Sequence, residues 1–219
     1  MIGIRGCYME PEIGKYMKGT TTIGVVCGDG VVLGVDSRAT AGNIIASTEA
    51  RKVFKIDANM GMTIAGTVGD AQELVRVLKA QNEVYKMNEG RPLNPKSAAS
   101  LLSIILQQNK MMPYLAWVLV GGVDGSSPLL YSVDPLGGAI EETRFTSVGS
   151  GSESALGYIE EAYKKGMPTK DAVKMVAKAL SVAMRRDSAS GDSMIIAVIN
   201  GQGYTEYSGK EIEKVTSSK

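Results

Sequence analysis

The order in which strand-like and helix-like stretches follow one another limits the fold of this chain more than any other property. Thr21 to Cys27 and Val31 to Val35 are rich in β-branched residues and flank a Gly28-Asp29-Gly30 turn, the pattern of a hairpin. Shorter strand signals follow near Ile44–Ala46, Lys52–Ile56 and Met60 to Ala65. Asp70 then reads as a helix N-cap, and Leu74, Val75, Leu78, Asn82 and Tyr85 recur at helical spacing behind it through Met87. After a stop at Gly90 to Pro95, Ser97 to Gln108 is a second helix. Leu115 to Val123, Leu129 to Val133 and Ala139–Thr143 read as strands, and Thr146 to Gly151 as a small-residue loop. Two more helices are predicted. One runs from about Glu153 to Lys165; the other is capped by Thr169, carries an Ala172, Val173, Val176, Ala179, Leu180, Ala183 stripe, and ends near Arg186. A loop from Asp187 to Asp192, strands at Met194 to Ile199 and Tyr204–Tyr207, and a charged tail from Lys210 that fits a helix complete the chain. Strands, two helices, strands, two helices, strands is not the alternation of a parallel doubly wound sheet. It predicts an α+β fold: a four-layer αββα sandwich of two antiparallel sheets flanked by helix pairs, without an internal linker or repeat.

The chain has 219 residues, enough to bury most of its apolar surface in a single core. A net charge of +1 offers no basic field for nucleic acid. No apolar run is long enough for a membrane helix or a signal peptide, so a soluble intracellular protein is expected. Cys7 and Cys27 lack metal-ligand spacing and point to a reducing compartment; no cofactor or metal is expected. The histidine count is zero. That excludes Ser–His and Cys–His pairs within the chain, and histidine metal sites with them. Any base acting near neutral pH has to be a shifted carboxylate, a shifted lysine or an α-amine, whose ordinary pKa is about 7.7–8.0.

Gly19-Thr20-Thr21-Thr22 bears on that last option. Read plainly, it is a flexible joint leading into a strand, because threonine suits a pleated surface. Read chemically, scission of Gly19–Thr20 gives Thr20 a free α-amine beside its own hydroxyl, so that one residue holds nucleophile and base. Residues 1–19 are then either a frayed terminus or a propeptide removed on maturation, with a single catalytic domain over 20–219.

Further motifs stand in a fixed order: Asp36-Ser37-Arg38, Lys52 after Ala50-Arg51, Met62-Thr63-Ile64-Ala65-Gly66, Val68-Gly69-Asp70-Ala71, Val120-Gly121-Gly122-Val123-Asp124, Gly149-Ser150-Gly151-Ser152, and Arg186-Asp187-Ser188-Ala189-Ser190-Gly191. Each is weak alone. Together, from Gly19 to about Glu213, they resemble the proteasome β subunits of archaeal type. The resemblance implies an N-terminal-nucleophile hydrolase fold, self-cleavage at Gly19–Thr20, and threonine endopeptidase activity in the cytoplasm. It makes Thr20 the nucleophile, its new amine the base, Lys52 the lysine that lowers proton affinity there, and Asp36 the carboxylate that holds Lys52. Gly66 corresponds to the donor of the oxyanion N–H, and Ser150, Asp187 and Ser190 to a polar cluster beside the amine.

By the same resemblance the main chains of Thr40, Gly66 and Val68 pair with an extended substrate. Ala39, Ala50, Phe54, Ile64 and Val68 then surround the side chain before the cut, and their apolar character predicts cleavage after apolar residues. Strand alternation groups Lys52, Phe54 and Ile56 on one face, and Ile64, Gly66 and Val68 on another. The plain alternative for Lys52 is a solvated strand lysine, and for the pocket residues ordinary core. The partners implied are proteasome α subunits and other β subunits in stacked heptameric rings, about fourteen β copies in all, a regulatory ATPase reached through the α ring, and unfolded polypeptide substrates; neither nucleic acid nor membrane is among them. The alternatives are a non-catalytic ring subunit of the same fold and an N-terminal-nucleophile amidase acting on small amides.

Overall fold

The computed structural model describes residues 19–217. Cys7 and the stretch read as a propeptide, apart from Gly19, lie outside the described residues. The first sheet contains β1 (Thr21–Val26), β2 (Gly30–Asp36), β10 (Phe145–Gly149), β11 (Met194–Asn200) and β12 (Gly203–Ser208), in the order β10-β1-β2-β11-β12. The second contains β5 (Val53–Asp57), β6 (Met60–Gly66), β7 (Ala116–Asp124), β8 (Ser127–Val133) and β9 (Ala139–Glu141), neighbouring in chain order. Every pairing is antiparallel, and a small hairpin of β3 (Ala39–Ala41) and β4 (Ile44–Ser47) stands apart.

Side-chain alternation explains why two sheets form three apolar layers. Ile23, Val25 and Val32 point outward from the first sheet and meet α3 (Ser152–Ala162) and α4 (Thr169–Arg186), whose Val176 and Leu180 are fully buried. Met60, Met62 and Ile64 point outward from the second sheet against Leu74, Leu78, Leu102 and Leu106 of α1 (Val68–Glu89) and α2 (Pro95–Gln108). Between the sheets lie Val31, Leu33, Val35, Val53, Ala65, Leu119 and Leu130. The predicted α+β sandwich is the observed architecture.

Three helix starts differ from the sequence reading. The N-cap of α1 is Thr67, and Asp70 sits inside the first turn, where it accepts from the Thr67 hydroxyl (2.7 Å) and from Leu115 N–H (2.8 Å). The N-cap of α2 is Asn94, whose side chain accepts from Ser97 N–H, with Pro95 opening the helix. Pro168 rather than Thr169 is the N-cap of α4. The Thr169 N–H and hydroxyl instead donate to the two carboxylate oxygens of Asp29, in the β1–β2 turn, at 2.8 and 2.9 Å. The stretch read as a loop over Thr146 to Gly151 is largely strand: β10 pairs with β1, with Thr21 opposite Gly149. Local sequence could not show this, since small residues become a strand here only because β1 supplies a ladder. The charged tail is α5 (Lys210–Ser217), anchored by buried Ile212. Cys27 is buried, and its thiol is pushed up to about 12, first by burial and then by Asp29.

Candidate active site

The start of β1, the ends of β2, β6 and β10, the entry to β5 and the loop after α4 meet at one end of the sandwich. Thr20 lies there, buried, with its hydroxyl donating to the Gly19 carbonyl oxygen at 2.5 Å. The chain is continuous through Gly19–Thr20, so the nitrogen of Thr20 is an amide. Lys52 reaches across from the second sheet. Its Nζ donates to the same Gly19 carbonyl at 3.2 Å and to Asp36 Oδ1 at 2.9 Å. The Lys52 side chain is 8% exposed and that of Asp36 0%. Burial pulls the Lys52 ammonium below the usual lysine range, and the Asp36 carboxylate opposes that fall. Lys52 is therefore a buried, paired cation, and the solvated-lysine alternative does not hold.

Asp36 is held as tightly as it holds. Oδ1 also accepts from Thr21 N–H (2.8 Å), while Oδ2 accepts from the N–H groups of Arg38 (3.1 Å) and Gly191 (3.0 Å). Asp187 gathers the second cluster, with Oδ2 accepting from the hydroxyls of Ser150 (2.5 Å) and Ser190 (2.6 Å). Because Ser190 spends its proton on Asp187, the 2.7 Å contact between Ser190 and Thr21 must run from the Thr21 hydroxyl to Ser190 Oγ. On the other side, Gly19 N–H donates to Ser150 Oγ at 3.3 Å. The network is thus ordered toward the Asp187 carboxylate from both ends, and it touches Gly19 and Thr21, the residues on either side of Thr20.

Gly66 closes β6 with φ +145°, and a Cβ there would stand 1.9 Å from the Leu115 carbonyl oxygen. Only glycine fits, which leaves its main chain open to close approach. Of the predicted pocket, Phe54 and Ile64 pack into one apolar cluster, and Ile64 N–H donates to the Lys52 carbonyl. Ala39 and Ala50 flank the β3–β4 hairpin, half-buried. Val68 departs from the expected strand alternation: β6 stops at Gly66, and Val68 is the first residue of α1, 57% exposed. The helix begins there because Thr67 caps it and Thr67 N–H is already taken by the Leu115 carbonyl. Among the described residues, no group of three or more Cys, Asp or Glu side chains is placed to hold a metal ion, and no helix is long and apolar enough to cross a membrane.

Sequence reasoning assigned no role to Thr21, Ser37 or Arg38. Ser37 is buried and fastens the Thr48 carbonyl and Ser193 to the end of β2. Arg38 clamps the loop after α4, with Nε on Asp192 (2.9 Å) and Nη1 on the Ser188 carbonyl (2.9 Å), while its guanidinium lies against Gly191. The Asp192 hydrogen bond raises the guanidinium's proton affinity, and Arg38 holds the Asp192 carboxyl below its usual range. An Asp-Ser-Arg run directly after a strand was the one available signal.

The chain matches the sequence profile of the Proteasome family, described as Proteasome subunit, over residues 16–199. It belongs to the proteasome subunit family. Family relatives named Proteasome subunit beta include one from Methanococcus aeolicus, 48% identical over 204 residues, 93% of this chain and 94% of the relative. Another, from Methanosarcina barkeri, is 44% identical over 204 residues, 93% of this chain and 97% of the relative. One from Methanocaldococcus vulcanius is 48% identical over 200 residues, 91% and 90% of the two chains. Of the motifs that carried the resemblance, those around Thr20, Asp36, Lys52, Gly66, Ser150 and Asp187 meet at this site, while Val120–Asp124 lies at the other end of β7.

Proposed function

We propose that this chain is a catalytic β subunit of a proteasome core, a threonine-type endopeptidase that frees its own nucleophile by cutting Gly19–Thr20. One observation carries the reading: the Thr20 hydroxyl and the Lys52 ammonium converge on the same Gly19 carbonyl, at 2.5 and 3.2 Å, with Asp36 behind the lysine. In the first reaction Thr20 Oγ attacks the Gly19 carbonyl carbon. The C–O bond forms, the C–N bond to Thr20 breaks, and the hydroxyl proton ends on the departing nitrogen. Water then adds to the resulting ester, leaving a Gly19 carboxylate and a Thr20 with free hydroxyl and amine. Lys52 stabilises the negative charge that develops on the carbonyl oxygen, and its weakened hold on its own proton suits it to relay one.

In the second reaction the freed amine takes the hydroxyl proton as Oγ attacks a substrate carbonyl, and returns it to the leaving peptide nitrogen. The Lys52 cation keeps that amine unprotonated near neutral pH. Gly66 N–H receives the oxyanion, Thr40 and Gly66 pair with the extended peptide, and Phe54 and Ile64 favour an apolar side chain before the cut. The relatives' name, Proteasome subunit beta, supports assembly of this chain into a proteasome core with other subunits, for which α and further β subunits are proposed as partners. The test is Thr20→Ala in the assembled particle. Peptide hydrolysis is expected to vanish with residues 1–19 still attached; retained hydrolysis with no other active subunit present overturns the mechanism.

A further inference from the structure

Gly19 occupies a seat that disfavours every other residue, for two separate reasons. Its φ of +126° lies where an L side chain is strained. A Cβ built on it would stand 2.4 Å from Thr40 Oγ1, far inside contact, yet 3.7 Å from Thr40 Cβ, at ordinary distance. The Ala189 carbonyl oxygen is the next neighbour, at 3.8 Å. The obstruction is therefore a single oxygen atom, and it belongs to the strand β3 residue beside the junction. The seat is otherwise well defined: Gly19 is buried, its N–H is on Ser150, and its carbonyl is on Lys52.

We propose that the Thr40 hydroxyl is a specificity determinant for the self-cleavage step, reserving position 19 for glycine by filling the space a side chain there would need. This rests on the self-cleavage reading above. It also separates the two reactions geometrically. A substrate residue carrying a side chain cannot lie as Gly19 lies; its Cβ has to turn away from Thr40, so the precursor junction and a bound substrate use different settings of the backbone before the cut. The backbone preference and the hydroxyl act independently, so removing the oxygen relieves one of the two barriers and leaves the other.

The experiment follows loss of residues 1–19 by intact mass, over time, in full-length chains co-assembled with partner subunits. Wild type, Gly19→Ala, Gly19→Ala/Thr40→Ala and Gly19→Ala/Thr40→Ser are compared. Gly19→Ala is expected to stall, the Thr40→Ala double variant to process at least about tenfold faster than Gly19→Ala alone, and the Thr40→Ser double variant, which keeps the oxygen, to stall as well. Two results each overturn the proposal: Gly19→Ala processing at the wild-type rate, or the two double variants behaving alike. Wild type retaining residues 1–19 in an active particle overturns the self-cleavage reading itself, a different outcome read from a different sample. The mass of the assembled particle, taken in the same measurement, separates stalled processing from failed folding.

Discussion

Both carboxylate oxygens of Asp36 accept two hydrogen bonds each, and one of the four donors is a buried ammonium. Asparagine has the same shape but presents an NH2 to two of those donors and leaves Lys52 without a counter-charge. Asp36→Asn is expected to lower stability at pH 7 by about 3 kcal/mol, the scale of a broken buried pair, as read from urea unfolding. The loss should shrink with rising pH. In the variant the folded-state pKa of Lys52 falls further below its unfolded value of about 10.4, so the penalty is complete below the folded value and disappears above the unfolded one. A loss independent of pH between 7 and 10 would mean that Lys52 is not the group left stranded.

Elements meet at this site through side chains that belong to neither of the elements they join. Arg38 follows β2 but fixes the 187–193 loop after α4, which carries Asp187, Ser190 and the Gly191 N–H. Arg38→Met should raise amide exchange across Ser188–Asp192 and reduce peptide hydrolysis about tenfold while global stability changes little. Arg38→Lys should recover only part, because one ammonium cannot span Asp192 and the Ser188 carbonyl as the planar fork does. The helix α1 is fastened to the β5–β6 hairpin by side chains of the two elements themselves, Asp57 at the end of β5 and Asn82 and Lys86 on α1. Asp57 Oδ2 accepts from Asn82 (2.7 Å) and pairs with Lys86 (3.0 Å), and Asn82 Oδ1 accepts from Leu93 N–H. Burial pushes the Asp57 carboxyl up, but Asn82, the Ala58 N–H and Lys86 together hold it below the usual range. A depressed carboxyl contributes stability above its unfolded pKa, about 3.9, and loses it as pH falls through the folded value. The thermal midpoint of wild type should therefore drop more between pH 7 and 3 than that of Asp57→Asn.

For the whole molecule, the spacing between the sheets decides whether the site exists. Thr20 leads into β1 and Asp36 ends β2 of the first sheet, Lys52 leads into β5 and Gly66 ends β6 of the second, and the 2.9 Å ion pair spans the gap. Gly121 of β7 helps to set that gap: a Cβ there would come within 2.7 Å of Val31 and 3.1 Å of Leu33 on the facing sheet. Gly121→Val should cost about 1–3 kcal/mol by overpacking, measured by urea unfolding. It should also slow release of residues 1–19, although position 121 touches no residue of the site. Unchanged processing in a destabilised variant would show that the pair tolerates a wider gap.

The order of elements and the two-sheet sandwich could be read from sequence, and the resemblance named Thr20, Asp36, Lys52, Gly66, Ser150, Asp187 and Ser190, which the fold brings to one end of the sandwich. Alternating burial writes strands and helices into hydrophobic periodicity, and a chain without histidine leaves few groups able to act as a base. Periodicity carries no information about partners far along the chain. Tertiary structure alone turned Thr146–Gly149 into a strand beside β1, bound the Thr169 N–H and hydroxyl to Asp29 at the start of α4, and placed Val68 on a helix. It alone set Arg38 over Gly191 and Thr40 against Gly19. Those contacts depend on distances between segments that only folding brings together, and a hydroxyl or a guanidinium looks the same in sequence whether it meets water or a neighbour.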